Sequence, residues 1–143
     1  MTQRLTVQGT KELNAALERM SEKMQAQVAE VVQETAAGLE AGVKLRMQQS
    51  TPTGRTYNRG TISHTASAAG QPPAPDTGVL MGSIYHQMTG PMSAVAGSRV
   101  EYSSFLEFGT FKMAKRPAWV PEIEETRPRF LKSIKQILSG GKT

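Results

Sequence analysis

The stretch that decides the fold is residues 10–49, which read TKELNAALERMSEKMQAQVAEVVQETAAGLEAGVKLRMQQ. Apolar residues, and one threonine, recur three or four positions apart, which is the spacing of one face of an amphipathic α-helix. The positions on that face are Leu13, Leu17, Met20, Met24, Val28, Val31, Thr35, Leu39, Val43 and Met47. Thr10 suits the N-cap, and Pro52 stops the pattern because proline lacks an amide donor. The sequence therefore predicts a long N-terminal helix.

A helix of this length is out of proportion to the chain. About 40 residues at 1.5 Å rise would extend roughly 60 Å, whereas a compact domain of this size has a radius of gyration of only ~14–15 Å. Either Gly38 or Gly42 bends the helix, or its far end packs on a neighbouring subunit. We favour the neighbouring subunit.

The segment after this helix, residues 51–75, reads as an extended loop. It holds three glycines and four prolines among small polar residues, and loops this long are usually functional or disordered. Arg55, Tyr57 and Arg59 supply side chains suited to contact. We interpret the segment as an arm that assembly orders, with simple disorder as the alternative.

The second half of the chain predicts a small antiparallel sheet and two helices. Residues 84–88 and 93–97 alternate as strands around the turn at Gly90-Pro91. Residues 101–109, EYSSFLEFG, show helical spacing of their aromatic residues, and Gly109 stands where a left-handed cap belongs. A last helix begins near Pro121 and ends at Leu138, either kinked at Pro128 or preceded by a turn.

These elements predict an α+β fold. A long N-terminal helix and a kinked C-terminal helix pack on a small antiparallel sheet, and a long loop extends from it. Residues 1–143 form a single domain of moderate core size. Leu5 and Val7 indicate a short first strand, and residues 139–143 should be frayed.

Composition narrows the class of protein. Only 38% of the 143 residues are apolar and 6% aromatic, both low for a self-sufficient domain, so part of the chain should be covered by something else. With no cysteine, disulfides and thiolate metal sites are excluded, and an intracellular setting fits. No apolar run is long enough to be the core of a signal peptide or to span a membrane.

The formal net charge of +5 is unevenly distributed. Between residues 41 and 75 the only charged side chains are Lys44, Arg46, Arg55 and Arg59. Such a stretch can be a solvated loop, or can meet an acidic protein or phosphate. A small basic nucleic-acid-binding module is thus an alternative from another class, although no recognition helix or stacking motif is visible.

The sequence predicts no enzyme, cofactor or metal site. Asp76-Thr77-Gly78 matches the triplet of aspartic proteases, but the proline-rich residues before it cannot form the strand those enzymes need. The ordinary interpretation is that Asp76 caps the turn that follows. His64 and His86 are the only histidines, and they lack the spacing of a zinc helix.

Three blocks together carry a resemblance. They are residues 67–80, SAAGQPPAPDTGVL, residues 102–110, YSSFLEFGT, and residues 116–121, RPAWVP. Their order resembles the tail-completion and head–tail joining proteins of long-tailed phages, the minor tail protein Z-like family. The similarity covers about residues 51–138 and, more weakly, the first helix. Ser103 stands where the family has alanine, and Ala118-Trp119 where phenylalanine is common.

The resemblance implies a structural virion protein, assembled in the host cytoplasm. It implies a homo-oligomeric ring at the neck, which the family suggests is six-fold, joining adjoining neck and tail-tube proteins around the DNA without sequence-specific contact. A tail terminator or capsid-side adaptor ring is the alternative. A heterologous interface that closes on itself gives a ring. The subunit contacts in such a ring would cover part of each chain, which would explain its thin core.

From these motifs we predict a subunit interface. Its residues are Arg55, Tyr57, Arg59, Glu107, Phe108, Gly109, Thr110, Arg116, Pro117 and Trp119. Arg116 should pair with Glu107, and charge reversal at Glu107 should block ring formation but leave the monomer folded. The alternative is that residues 107–110 only end a helix and hold the core.

Overall fold

A computed structural model of the chain describes residues 10–19 and 21–140. The predicted first strand at Leu5 and Val7 and residues 141–143 of the predicted frayed end lie outside them. None of the described helices combines the length and apolar character that a bilayer span needs. The elements, in chain order, are α1 (Thr10–Leu17), α2 (Glu22–Gln49), β1 (Thr56–Arg59), β2 (Ile62–Thr65), α3 (Val79–Ser83), β3 (Ile84–Gly90), β4 (Ser93–Ser98), α4 (Tyr102–Phe108) and α5 (Trp119–Leu138).

The predicted 40-residue helix is two helices, and the break between them lies at neither Gly38 nor Gly42, the positions of the alternative bend. The break lies between Leu17 and Glu22, because Ser21 adopts an extended conformation and its Oγ accepts a hydrogen bond from the Met24 amide at 3.4 Å. Such a cap satisfies an amide that the first turn of a helix leaves free. The helix α2 then continues through both glycines to Gln49.

The segment predicted as a structureless loop contains a β-hairpin. The strands β1 and β2 pair antiparallel, from Thr56 opposite Thr65 to Arg59 opposite Ile62. The two-residue connection starts with Gly60 at φ +60°, the conformation that type II′ hairpin turns require at that position. Four-residue strands between glycines and prolines are too short for alternation to reveal them, which is why the sequence pattern missed them.

The α+β prediction is confirmed. The strands β3 and β4 form the predicted hairpin, with an irregularity between Met88 and Gly90, and α2 packs on both this hairpin and α5. Of the two alternatives for the last element, a single helix is correct, since α5 is unbroken through Pro128. The expectation of one domain stays a prediction.

The core lies where α2, β3 and the start of α5 meet. Its buried members are Val43, Met47, Ile84, Ala118 and Trp119, with Leu80, Met81, Ala96 and Ile123 packed against them. Several large apolar side chains remain outside this core. The core therefore fixes how α5 sits on α2, and leaves the outer side of α4 uncovered.

Candidate interaction surface

The carboxylate of Glu107 joins α4 to the start of α5. It is buried, and Oε2 accepts hydrogen bonds from the amides of Ala118 at 2.9 Å and Trp119 at 3.1 Å. Oε1 accepts one from Val120 at 2.8 Å. The residue at the N-cap position, Ala118, has no side chain for this role. Glu107 thus satisfies amides that the helix leaves free, and its charge complements the helix dipole.

The predicted ion pair between Glu107 and Arg116 does not form among the described residues. Both oxygens of Glu107 face amides, and Arg116 Nε instead donates to the carbonyl of Ser67 at 3.1 Å. The Arg116 amide donates to the carbonyl of Leu106 at 2.6 Å. Composition and spacing could not predict these contacts, because the partners of Glu107 and Arg116 are backbone groups, which nearly every residue carries.

Two other residues predicted at the interface lie in the core or next to it. Trp119 is only 9% exposed and belongs to the core. Pro117 is half-buried next to it. For Glu107 and Trp119 the structure gives roles within the chain, and a part for them in a subunit contact stays a prediction.

One face of α4 presents aromatic side chains to solvent. Tyr102, Phe105 and Phe108 follow at three-residue intervals and are all exposed, Phe108 by 63%. Phe111, in the turn after the helix, is 94% exposed. We call these four residues the aromatic ridge. Monomeric proteins rarely leave such side chains together in water, and a patch of this kind marks a contact site.

The turn that carries Phe111 has a fixed shape. Thr110 and Met113 exchange backbone hydrogen bonds of 2.8 and 3.2 Å, so Phe111 and Lys112 lie at its tip. The Lys112 ammonium lies 5.2 Å from the centre of the Phe111 ring. The backbone of the turn is thus closed by two hydrogen bonds, while the Phe111 ring at its tip remains almost fully exposed.

Gly109 makes this turn possible. Its φ is +75°, and a Cβ there would lie 2.9 Å from both the Lys115 amide nitrogen and the Met113 carbonyl oxygen. Side chains rarely adopt that conformation, and the returning backbone leaves no room for one. Gly109 therefore determines how the chain leaves α4 and where the ridge ends.

The hairpin of β1 and β2, which we call the hairpin arm, is attached to the body by Asp76. Arg59 in β1 forms an ion pair with Asp76, and His64 Nδ1 in β2 lies 3.4 Å from its Oδ1. Tyr57 is exposed, and the Arg55 guanidinium lies 5.5 Å from the centre of its ring. The expected cap at Asp76 is not seen among the described residues, since α3 has Gly78 at its N-cap position without a side-chain hydrogen bond. The Asp76 carboxylate instead contacts both strands of the arm.

A cavity of about 380 Å³ lies between the hairpin arm and the body. Three predicted interface residues, Tyr57, Arg59 and Arg116, line it together with Tyr102 of the aromatic ridge. Its apolar wall comes from α2, α3 and α4, through Met47, Leu80, Met81 and Leu106. The structure therefore brings Tyr57 and Arg59 of the arm to the same cavity as Arg116 and Tyr102, whereas residues 107–110 do not line it.

The basic stretch of residues 44–59 is largely neutralised within the chain. Lys44 pairs with Glu40, and Arg59 pairs with Asp76. Arg46 reaches Glu122 and Glu125 of α5, each at 2.7 Å. Because these cations already have carboxylate partners, they are poorly available to phosphate, and the alternative of a nucleic-acid module through this stretch loses its main support.

These pairs shift pKa values in the expected directions. Hydrogen bonds with Lys44 and then with His86 lower the pKa of Glu40. Hydrogen bonds with Glu125 and then Glu122 raise the pKa of Arg46. Both shifts favour the charged form, so α2 is tied to β3 through Glu40 and His86, and to α5 through Arg46.

The chain was compared with known protein families, curated proteins and solved structures. Residues 11–109 match the family model HK97-gp10-like, described as "Bacteriophage HK97-gp10, putative tail-component". The match spans well over half of the chain. The chain belongs to the HK97-gp10-like family. The comparisons with curated proteins and with solved structures found no significant match.

Membership of the HK97-gp10-like family confirms the predicted kinship with phage neck and tail-completion proteins. The family describes a component of the phage tail, and hence of the virion. Two of the three motif blocks, residues 67–80 and 102–109, lie within the match, whereas residues 116–121 lie beyond it. The aromatic ridge straddles the end of the match, with Phe111 outside.

Among the described residues of this HK97-gp10-like chain, no group of three or more possible ligand side chains could hold a metal ion. The surface with the strongest physical signal is the aromatic ridge. The motifs selected Phe108 but neither Phe105 nor Phe111, although both side chains are exposed. Helical spacing shows that residues share a face, but not whether that face is covered.

Proposed function

We propose that this chain is a structural subunit of the phage neck, without catalytic activity. Copies of it form a ring that joins or completes the tail at the head–tail junction, around the channel through which DNA passes. The observation that carries the proposal is the aromatic ridge, a rigid set of exposed aromatic side chains on a tail-component fold.

The free energy gained by burying apolar surface favours a protein partner for the aromatic ridge. Burial of apolar surface contributes about 25 cal/mol per Å², and aromatic residues are enriched in the centres of protein interfaces. Nucleic acid would cover these rings only if unpaired bases stacked on them. A second subunit or an adjoining neck protein is the partner that fits.

The hairpin arm and Thr110 offer further contacts to a partner. Tyr57 and Ile62 of the hairpin arm are exposed, and Thr110 continues the surface beyond Phe108. A heterologous contact repeated between copies closes into a ring. We propose six copies, an axial contact with tail-tube and neck proteins, and assembly in the host cytoplasm.

Two variants test the ridge. Phe108→Ser with Phe111→Ser should weaken assembly at least tenfold, because both side chains are exposed and their loss removes only contact area. Phe108→Leu with Phe111→Leu is the matched control and should retain most of it. Molar mass from light scattering, with and without isolated tail tubes, gives the assembly state, and urea unfolding should show the same midpoint for both variants.

Two results would contradict the proposal. If the serine variant assembles as well as wild type, the ridge is not the contact surface. If wild type stays monomeric with tail tubes, and virions that lack it are complete, the chain is not a neck subunit. Binding to capsid connectors in place of tail tubes would identify the alternative, a capsid-side adaptor, and binding only to the tube end would identify a tail terminator.

A further inference from the structure

The outer face of α5 carries positive charge that the chain leaves unpaired. Arg127, Arg129, Lys132 and Lys135 are all exposed, and no acidic residue occurs from Thr126 to Gly140. None of the four has a carboxylate partner within the described part of the chain, unlike Lys44, Arg46 and Arg59. The helix dipole favours a cation in the last turn, which accounts for Lys135 but not for the other three.

Apolar side chains accompany these cations. Leu131 and Leu138 are each about half exposed on the same side of α5. They lie seven residues apart, which is about 10 Å along a helix. A face with two leucines between cations suits an apolar and acidic partner surface better than it suits water.

The outer face of α2 is the acidic counterpart on the same chain. Glu30 and Glu34 are exposed one turn apart, with no carboxylate–cation pair among the described residues. Like charges at this spacing weaken a helix slightly, so they bring the isolated chain no benefit. Ala41 and Leu45 continue the same helical face and are also exposed.

Gly38 lies at the centre of this α2 face, and no contact with another described residue accounts for a glycine there. A Cβ there would meet nothing within 4 Å, whereas at Gly42 it would lie 2.2 Å from the Glu122 carboxyl. Glycine within a helix costs about 1 kcal/mol relative to alanine. The close approach of Glu122 accounts for a glycine at Gly42, whereas no described residue approaches Gly38.

We propose that the outer face of α5 in one copy docks on the outer face of α2 in the next. This rests on the proposed ring and names the lateral contact in it. Lys132 and Lys135 then face Glu30 and Glu34 of a parallel helix, and Leu138, three residues beyond Lys135, packs at Gly38, four residues beyond Glu34.

The occupant is a second copy because each face supplies what the other lacks. Helices pack with axes 8–10 Å apart, closest where a small residue lies at the contact, which Gly38 provides. Charge complementarity fixes partner and register more than it adds affinity. Because the two faces differ, the contact is heterologous and can close into a ring.

Charge exchange tests the contact. Glu30→Lys with Glu34→Lys should weaken assembly at least tenfold, and so should Lys132→Glu with Lys135→Glu. A chain that carries all four substitutions should recover assembly to within about threefold of wild type. Glu12→Lys with Glu18→Lys, at exposed positions in α1 and just after it, makes the same change in net charge as the Glu30 and Glu34 pair and should leave assembly unchanged. Light scattering over a concentration series gives each value.

Gly38→Leu is the second measurement. Since a side chain there meets open space within the chain, the unfolding midpoint should not fall, but assembly should weaken at least tenfold. Wild-type assembly by Gly38→Leu, or no recovery by the four-substitution chain, would overturn the contact and leave the ring proposal standing. The contact would also be overturned if Lys132→Glu with Lys135→Glu weakened only DNA binding and left assembly unchanged. Wild type that never assembles would overturn both.

Discussion

The side chain of Glu107 holds the backbone of Trp119, whose amide donates to its Oε2 at 3.1 Å. The same carboxylate accepts from the amides on either side. A helix thus begins on a charge supplied by another helix, while the indole of Trp119 fills the core. The two contacts fix the first turn of α5 from both sides, so the region is sensitive to small changes in Glu107.

Glu107→Lys should therefore unfold the chain more easily, rather than block assembly of a folded monomer. It removes a buried acceptor and leaves three amides unsatisfied, which should cost about 3–5 kcal/mol. Glu107→Gln keeps one acceptor oxygen and should cost about 1–2 kcal/mol. Urea unfolding gives both values. Glu124→Lys, an exposed change on the same helix, is the control, and an equal midpoint for Glu107→Lys and this control would contradict the capping role.

Gly109→Ala should be far more damaging than the same change at Gly78. Both glycines have positive φ, +75° and +81°, but only at Gly109 would the new methyl group meet backbone atoms, at 2.9 Å. We expect Gly78→Ala to cost about 1–2 kcal/mol from the conformation alone and Gly109→Ala about 3 kcal/mol or more. Thermal unfolding of the two proteins measures the difference, and similar melting temperatures would show that the turn adjusts freely.

The contribution of Glu40 to stability should depend on pH. Its pKa is lowered from the ordinary value of 4.5 by hydrogen bonds with Lys44 and His86. The stabilisation is therefore fully present above pH 4.5 and is lost as the pH falls through the lower pKa of the folded state. Glu40→Gln should destabilise by about 1 kcal/mol at pH 7 and by much less at pH 3. Urea unfolding at the two pH values tests this, and a constant difference would exclude the linkage.

Asp76→Asn should release the hairpin arm without unfolding the body. The substitution weakens the ion pair with Arg59 and the contact with His64, and no other helix or strand packs extensively on the arm. Amide hydrogen exchange of residues 56–65 should accelerate at least tenfold, while α2 and α5 stay protected. Glu124→Gln, which removes an exposed charge, should change neither. Unchanged exchange in the arm would mean that Asp76 does not hold it.

Much of the architecture could be predicted because the long, periodic elements dominate it. The α2 face, the β3–β4 hairpin and α5 follow from spacing alone, since their apolar positions have one consistent period over many residues. The short arm strands escaped because four residues carry too little pattern. The helix break at Ser21 escaped because the apolar face continues in phase across it, and a single hydroxyl decides the boundary.

The interaction surface could be predicted only in part. The motif block at residues 107–110 pointed to the right region, but Glu107 and Phe108 are neighbours in sequence with opposite surroundings, one buried and one exposed. A helix turns by about 100° per residue, so adjacent positions face different sides. Which side is covered depends on where α5 returns along the chain, and that is a tertiary fact.

The link from Glu107 to Val120 has a practical consequence for dissecting the protein. The match to the family model ends at Gly109, yet the acceptor Glu107 lies before that point and the donor amide of Val120 lies after it. A fragment cut at the limit of similarity would lose Trp119 and expose Val43 and Met47, together with an unsatisfied carboxylate. Shortened versions of the protein should therefore retain residues through Leu138, beyond the end of the family match.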